Sequence, residues 1–418
     1  MKASPKELKR IRVRVKKIFA REVLDSRGNP TIEVVLNGRR ALVPSGASAG
    51  AHEAQELRDG GKRFGGKGVL RAVNNVNTVI KRRVVGKFFT QEEFDAALIR
   101  LDGTRNKKRL GANAIVGASI AFSRAAAAQA GLPSRLFYSA LFGSTGKKLP
   151  CPVANLINGG VHAGNDLSIQ EFLVLPVRAK TFEAATVAIC ETRLALRNAL
   201  RAKYGAGATN VGDEGGFAPP CAEQEEPLDL LVAAVDESGH SKEIVLGIDA
   251  AATQFYNAKK HNYLLGSETL SRSQLNDYYA RLAARYPLTY IEDPFEEEAF
   301  EDFARLRRRL PNILIVGDDL CVTNPARIAL AVKRKACNAV IIKANQIGTI
   351  SETLDACRLA RDAGLKLVVS HRSGETEDAF IADFAVGIDA DFIKLGAPCR
   401  SERTAKYNKL LRIESRLK

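Results

Sequence analysis

The chain has 418 residues, 45% of them hydrophobic and 26% charged, a globular balance that argues against wholesale disorder. No apolar run approaches the ~20 residues of a membrane helix, and the seven cysteines form no CxxC, which excludes a cysteine-rich zinc module and reads as a reducing, cytoplasmic setting. The net charge of +16 attracts polyanions and would steer an anionic substrate. With 6% aromatics, no tryptophan and no zinc-finger, RRM or helix-turn-helix pattern, a nucleic-acid role would be a weak electrostatic side activity.

In chain order, Ile11-Arg-Val-Arg-Val15 alternates with period two and predicts a half-buried strand. An extended segment through Asp25 reaches a turn at Gly28-Asn29-Pro30. Thr31–Leu36 and Arg39–Val43, joined by Asn37-Gly38, predict a hairpin. Alanine-rich helical segments follow, among them Ser119 to Ala130. Residues 1–146 thus read as a small α+β domain, and 147–418 as a second, catalytic domain.

In the second domain, short apolar runs alternate with helical stretches, and each run ends in an ionisable residue. The ends are Asp249, Glu292, Asp318, Lys343, His371 and Lys394, spaced by 43, 26, 25, 28 and 23 residues. A strand, a helix and two loops need such lengths, so the run predicts successive βα units with buried parallel strands. An α/β barrel gathers the C-terminal ends of all its strands on one rim, whereas a doubly wound open sheet gathers ligands at one switch point. Six ionisable strand ends favour the barrel.

Asp249, Glu292 and Asp318 would repel one another unless a cation joins them, and oxygen donors without histidine or cysteine suit Mg²⁺. Salt bridges to three unrelated rim carboxylates are the plainer alternative. Lys343 and Lys394 end strands on the same rim. A desolvated lysine near other cations has a lowered pKa and can act as a general base, although a lysine that merely caps a strand reads the same way. Two glycine loops add groups: Asn158–Asn165 carries His162 and is followed by Gln170-Glu171, and Asn210–Gly216 carries Asp213 and Glu214. His371-Arg372-Ser373 offers a guanidinium and a hydroxyl suited to phosphate. No GxxxxGK[ST] is present, which excludes a P-loop nucleotide hydrolase. His52, His240 and His261 lack such company and read as surface residues.

Taken together, Asp25-Ser-Arg-Gly-Asn-Pro-Thr, Val43-Pro-Ser-Gly-Ala-Ser-Ala-Gly, Leu110-Gly-Ala-Asn-Ala-Ile, Val211-Gly-Asp-Glu-Gly-Gly-Phe, Ile291-Glu-Asp-Pro-Phe, Lys343-Ala-Asn-Gln-Ile-Gly-Thr, Ser370-His-Arg-Ser-Gly-Glu-Thr-Glu-Asp and Gly396-Ala-Pro-Cys-Arg-Ser-Glu-Arg resemble the enolase family across nearly the whole chain. The resemblance implies an enolase-type (β/α)8 barrel behind a smaller N-terminal α+β domain. It also implies dehydration of 2-phosphoglycerate to phosphoenolpyruvate with two Mg²⁺ per active site. By that resemblance Asp249, Glu292 and Asp318 hold the first ion, and Ser48 joins the second beside the substrate phosphate. Lys343 takes the C2 proton, Glu214 is the acid for the C3 hydroxyl, and Glu171 and His162 lie nearby. Arg372 and Ser373 hold phosphate, His371 lines the site, and Lys394 holds the carboxylate end.

The resemblance further implies a homodimer, with a higher assembly such as an octamer left open, joined by Arg21 with Glu191 and Glu33 with Arg412. A catalytically idle relative with a binding role is the alternative, but it should have lost a metal ligand, Lys343 or Glu214. None is lost.

Overall fold

The Asn37-Gly38 turn shows how local sequence dictates the N-terminal unit: both residues take positive φ (49° and 79°), which a two-residue hairpin of this hand requires. The computed structural model describes residues 5–46 and 50–417. In it, α1 (Pro5–Lys9) and β1 (Val13–Arg14) lead into a three-stranded antiparallel sheet of β2 (Ile18–Leu24), β3 (Pro30–Leu36) and β4 (Arg39–Leu42). The expected strand from Ile11 to Val15 shrinks to two residues, because β1 pairs only with the equally short β5 (Phe88–Phe89).

Helices α2 (Leu70–Asn75) and α3 (Lys81–Val84) precede β5. After it come α4 (Gln91–Asp102), α5 (Ala112–Gln129) and α6 (Ser134–Phe142). Thr90 and Glu93 close a capping box at the start of α4, and Gly103 in the left-handed region ends it. Helix α5 lies against β3 and β4 so closely that a Cβ on Gly117 would sit 2.7 Å from a methyl of Val34. No single described helix is long and apolar enough to cross a membrane; α5 and α6 pass that test only as a pair, are bent by 101°, and are largely buried.

Eight strands close the barrel. They begin with β6 (Cys151–Asn158), β7 (Glu171–Leu175) and β8 (Val245–Asp249). Between β6 and β8 and their successors stand α7 (Phe182–Tyr204), α8 (Glu226–Glu237), a small sheet of β9 (Tyr256–Asn257), β10 (Asn262–Leu265) and β11 (Glu268–Leu270), and α9 (Arg272–Arg285). The remaining barrel strands alternate with helices: β12 (Leu288–Glu292), α10 (Phe300–Arg309), β13 (Leu314–Gly317), α11 (Pro325–Arg334) and β14 (Ala339–Ile342). They continue through α12 (Ala344–Ile347), α13 (Ile350–Asp362), β15 (Lys366–Ser370), α14 (Phe380–Gly387), β16 (Phe392–Lys394) and α15 (Ser401–Glu414).

Alternate strand residues such as Val153, Leu173, Leu175, Tyr290, Val316, Ile341 and Val368 form one buried cluster, and their neighbours pack outward against the helices. One strand departs from the βα rhythm: β7 runs antiparallel to both β6 and β8. Its first residue, Glu171, therefore lands on the rim where the other strands end.

The N-terminal unit docks on that rim. Ser45 and Gly374 exchange two backbone hydrogen bonds (2.8 and 2.9 Å), Asp95 of α4 accepts from the backbone and hydroxyl of Ser351 at the start of α13, and Arg124 of α5 pairs with Asp378.

Candidate active site

Strand register builds the centre of the site. Glu171 opposes Asp249, and Asp249 opposes Glu292, so three carboxylates stand in a row on β7, β8 and β12. Lys394, last residue of β16, reaches all three: its Nζ lies 2.8 Å from Asp249, 3.0 Å from Glu292 and 3.0 Å from Glu171. Burial opposes the ammonium charge, but Asp249, Glu171 and Glu292 together hold Lys394 well above the ordinary lysine range. Glu292 also accepts from the Tyr290 hydroxyl at 2.7 Å; burial and the neighbouring Asp249 push it up to about 8.

The next two strand ends form a second group. Asp318, just past β13, ion-pairs with Lys343, just past β14, and accepts from Gln346 at 2.9 Å. The Asp293 carboxylate accepts the backbone N–H groups of Asp318 and Asp319 (3.0 and 2.7 Å), and these three acids offer oxygens within 4.8 Å of one another. Burial, with Asp318 beside it, pushes Asp319 up to about 8, and burial raises Asp293 well above the carboxylate range. Crowded acids of this kind, buried or half-buried and outnumbering the nearby Lys343, Lys394 and Arg372, are a donor set that fits a hard divalent cation.

The lysine chemistry differs from the sequence expectation. Burial disfavours the Lys343 ammonium, but Asp318 against it more than offsets this, so its pKa is raised rather than lowered. The expectation considered neighbouring cations. The fold instead supplies an anion first.

A third group lies beside Glu171. Nδ1 of His162 is 3.7 Å from both Glu171 and Glu214, and Asn155 donates to Glu214 at 3.1 Å. Burial, reinforced by Glu214, raises Glu171 well above the carboxylate range. For Glu214 burial opposes the charge, yet the imidazoles of His371 and His162 hold it below that range. The proton of this carboxyl pair therefore resides on Glu171. Burial keeps both imidazoles neutral, His371 down to about 3.

The Arg403 guanidinium can only donate, and it donates to Nδ1 of His371. The ring proton is thereby placed on Nε2, 3.5 Å from Glu214. Arg403 is wholly buried and also holds the carbonyls of Arg372 (2.7 Å), Ser373 (2.6 Å) and Asp213 (2.9 Å). Arg372 in turn makes a two-pronged contact with Glu53 of the N-terminal unit (2.9 and 3.2 Å), and Arg27 approaches Ser373 and Gly46.

One pocket is lined by Lys343, Lys394, Glu214, Glu171, Asp249, Asp318, His162, His371, Arg372 and Ser373 together. Glu292 is buried directly beneath, through Lys394. Ser48 lies outside the described residues. His52, His240 and His261 stand apart, on Glu298, Glu191 and Tyr256 respectively. The sequence reading assigned no role to Asp293, Asp319, Glu53, Arg27 or Arg403. The two acids follow assigned residues directly and Arg403 ends a quoted motif, whereas nothing local marks Glu53, which meets Arg372 across 319 residues.

A family model described as "Enolase, N-terminal domain" matches residues 15–138, and one described as "Enolase, C-terminal TIM barrel domain" matches residues 146–418. The chain belongs to the enolase family. It is 52% identical over 408 residues to an enolase of Thermococcus gammatolerans, covering 96% of this chain and 94% of that one. It is 52% identical over 412 residues to an enolase of Methanocaldococcus jannaschii (97% and 96% covered) and 49% identical over 419 residues to enolase 1 of Entamoeba histolytica (96% of each). The enolase family's barrel and N-terminal domain are thus both present, and acidic groups able to hold a metal lie on the barrel rim.

Proposed function

We propose that the protein catalyses the reversible, Mg²⁺-dependent dehydration of 2-phosphoglycerate to phosphoenolpyruvate, the step enolases supply to glycolysis and gluconeogenesis. The observation that carries the reading is one pocket lined by a lysine and a glutamate in separate surroundings, Lys343 beside Asp318 and Glu214 beside His371, together with Lys394 and its partner Asp249. Asp249, Glu292 and Asp318 would hold one Mg²⁺ and Ser48 a second, two per site. The ions, when bound, supply positive charge against the substrate's carboxylate and phosphate.

The protein's own groups do the rest. Arg372 and Ser373 hold the phosphate, and Lys394 holds the carboxylate end. Lys343 Nζ, once Asp318 no longer holds its own proton in place, takes the C2 proton, and the electron pair is first delocalised onto the substrate carboxylate; in a second step it forms the C2–C3 double bond as the C3–O bond breaks. Glu214 gives a proton to the departing hydroxyl, which leaves as water. His162 and Glu171 keep a proton within reach of Glu214, and His371 orients it. A domain boundary at 146/147 separates the unit that supplies Glu53 and Arg27 from the barrel that supplies the chemistry.

A cytoplasmic homodimer completes the reading, supported by free cysteines throughout the described residues and by exposed Val187 and Leu194 on α7. Within one chain Arg21 pairs with Glu33 at 2.6 Å, and Glu191 with His240 at 2.6 Å. Cross-subunit pairs of Arg21 with Glu191 and Glu33 with Arg412 would exchange these partners. The test of activity is phosphoenolpyruvate formation from 2-phosphoglycerate with Mg²⁺ and with EDTA. Turnover that EDTA abolishes and Mg²⁺ restores supports the reading; no turnover in Mg²⁺ refutes it.

A further inference from the structure

The positive charge of this chain is not spread over it. Residues 1–146 carry 28 Lys and Arg against 11 Asp and Glu, a net +17, while residues 147–418 carry 35 against 36, a net −1. The whole excess sits on the N-terminal unit, and much of it on one face. Arg12, Arg14, Lys16 and Lys17 are exposed along and just after β1. The β1–β5 pairing sets Arg14 opposite Phe88, and Val15 bonds to the Lys87 carbonyl at 3.0 Å, which brings Lys87 and the exposed Lys81, Arg82 and Arg83 of α3 alongside. The Asn37 side chain bonds to the backbone of Arg14, Lys16 and Lys17 and so holds the hairpin turn, with exposed Arg39 and Arg40, against the same edge.

Of these ten cations only Arg12 has an ion-pair partner among the described residues, Glu93 at 3.1 Å. In the middle stands Phe88, 54% exposed, with the Arg14 guanidinium 6.0 Å from its ring centroid. None of these residues lines the catalytic pocket, and β4 separates the basic turn from the Ser45 loop that does approach it.

We propose that this face binds single-stranded nucleic acid. Ten crowded cations, nine of them without an ion-pair partner among the described residues, repel one another, and a phosphate backbone relieves that repulsion while releasing its own counterions. Six of the ten are arginines, whose planar forks match phosphate, and the exposed ring beside them offers a base a stacking surface. An acidic protein would use the charge but not the ring. An anionic membrane is served by an amphipathic helix lying flat on it, whereas only the last turn of the helical stretch Leu70–Val84 reaches this face, the rest of which is turns and strand edges.

The test is fluorescence anisotropy of the full-length protein with a labelled single-stranded oligouridylate between 50 and 200 mM salt. Neutralising roughly five phosphates gives a log–log salt slope of about −3.5, so affinity should fall about a hundredfold across that range. The variant Arg39→Glu/Arg40→Glu/Arg82→Glu/Arg83→Glu should lose at least about tenfold in affinity while keeping its dehydratase activity, which reports that it is folded. Phe88→Ala should lose about fivefold or more without changing the slope. A barrel variant with the same change of charge, Lys259→Glu/Lys260→Glu/Arg308→Glu/Lys333→Glu, should bind as the wild type does. No binding at 50 mM salt, equal losses in the two fourfold variants, or capture by phosphatidylserine vesicles with none by the oligonucleotide would each overturn the proposal.

Discussion

Replacing Arg403 by methionine tests how a residue from the last helix shapes the site. The side chain is wholly buried and donates to His371 Nδ1 and to the carbonyls of Arg372, Ser373 and Asp213, joining the His371-Arg372-Ser373 segment to the loop that carries Glu214. Methionine fills similar space but takes away the donor to one imidazole nitrogen and to the carbonyls of Arg372 and Asp213, and leaves the Ser373 carbonyl only the Ser26 hydroxyl at 3.4 Å. Disrupting a buried charged network costs about 3–5 kcal/mol, which for a chain of this size lowers Tm by roughly 3–6 °C. A second effect is more specific. Burial first, and the Arg403 charge with it, hold His371 down to about 3. Without Arg403 that pKa rises toward the ordinary histidine value, and a protonated His371 would lock the Glu214 carboxylate in an ion pair, so that the proton resting on Glu171 is no longer relayed through it to the leaving hydroxyl. The variant's kcat/KM should therefore acquire an acidic limb, falling below about pH 6, where the wild type holds steady. Arg403→Lys, which keeps the charge and part of the hydrogen bonding, should recover the wild-type pH profile better than it recovers Tm. Thermal unfolding and kcat/KM from pH 5 to 8 measure both. A methionine variant with unchanged Tm and a pH profile parallel to the wild type refutes the reasoning.

Burial pushes Asp95 up to about 6 against Gln91, Ser119 and Ser351 at the seam between the two units. A carboxyl whose folded pKa is raised stabilises the fold fully below its unfolded pKa and loses that contribution as pH rises through 6. Relative to Asp95→Asn, the wild type should lose up to about 3 kcal/mol of unfolding free energy between pH 4 and 7, and parallel urea curves at the two pH values would contradict this. Asp318→Asn removes an anionic hard ligand and should weaken Mg²⁺ binding by at least about tenfold in calorimetric titration; unchanged affinity would take Asp318 out of the metal site. Glu33→Lys with Glu191→Lys should shift a dimer toward monomer in light scattering at matched concentration. A wild-type monomer at micromolar protein, or a reversed variant that stays dimeric, ends the dimer reading.

What could be read from the chain divides along physical lines. Buried parallel strands are continuous apolar runs, so β8 and β12 to β16 announce themselves, and the ionisable residues at or just past their ends meet on the rim as expected. Strand β7 does not announce itself. It is buried along its whole length, but its functional residue stands at its beginning, and only its antiparallel direction turns Glu171 toward Asp249. The hairpin at Asn37-Gly38 was legible because the turn is a two-residue event. The length of β1 was not, because it depends on a partner about 75 residues away. Likewise the ammonium of Lys343 is set by Asp318, the guanidinium of Arg372 by Glu53, and the imidazole of His371 by Arg403. Such pairings are products of the closed barrel and its docked N-terminal unit, and no local pattern encodes them.

The division of labour between Lys343 and Glu214 is tested most directly by following C2 hydrogen exchange of 2-phosphoglycerate into deuterated solvent alongside overall turnover. With Glu214→Gln the base remains, so exchange should persist while turnover falls by about 10²–10⁴. With Lys343→Ala both should be lost, while Mg²⁺-dependent binding of the substrate remains. A Lys343→Ala protein that turns over at near-native rate, or that still exchanges the C2 hydrogen, contradicts the account.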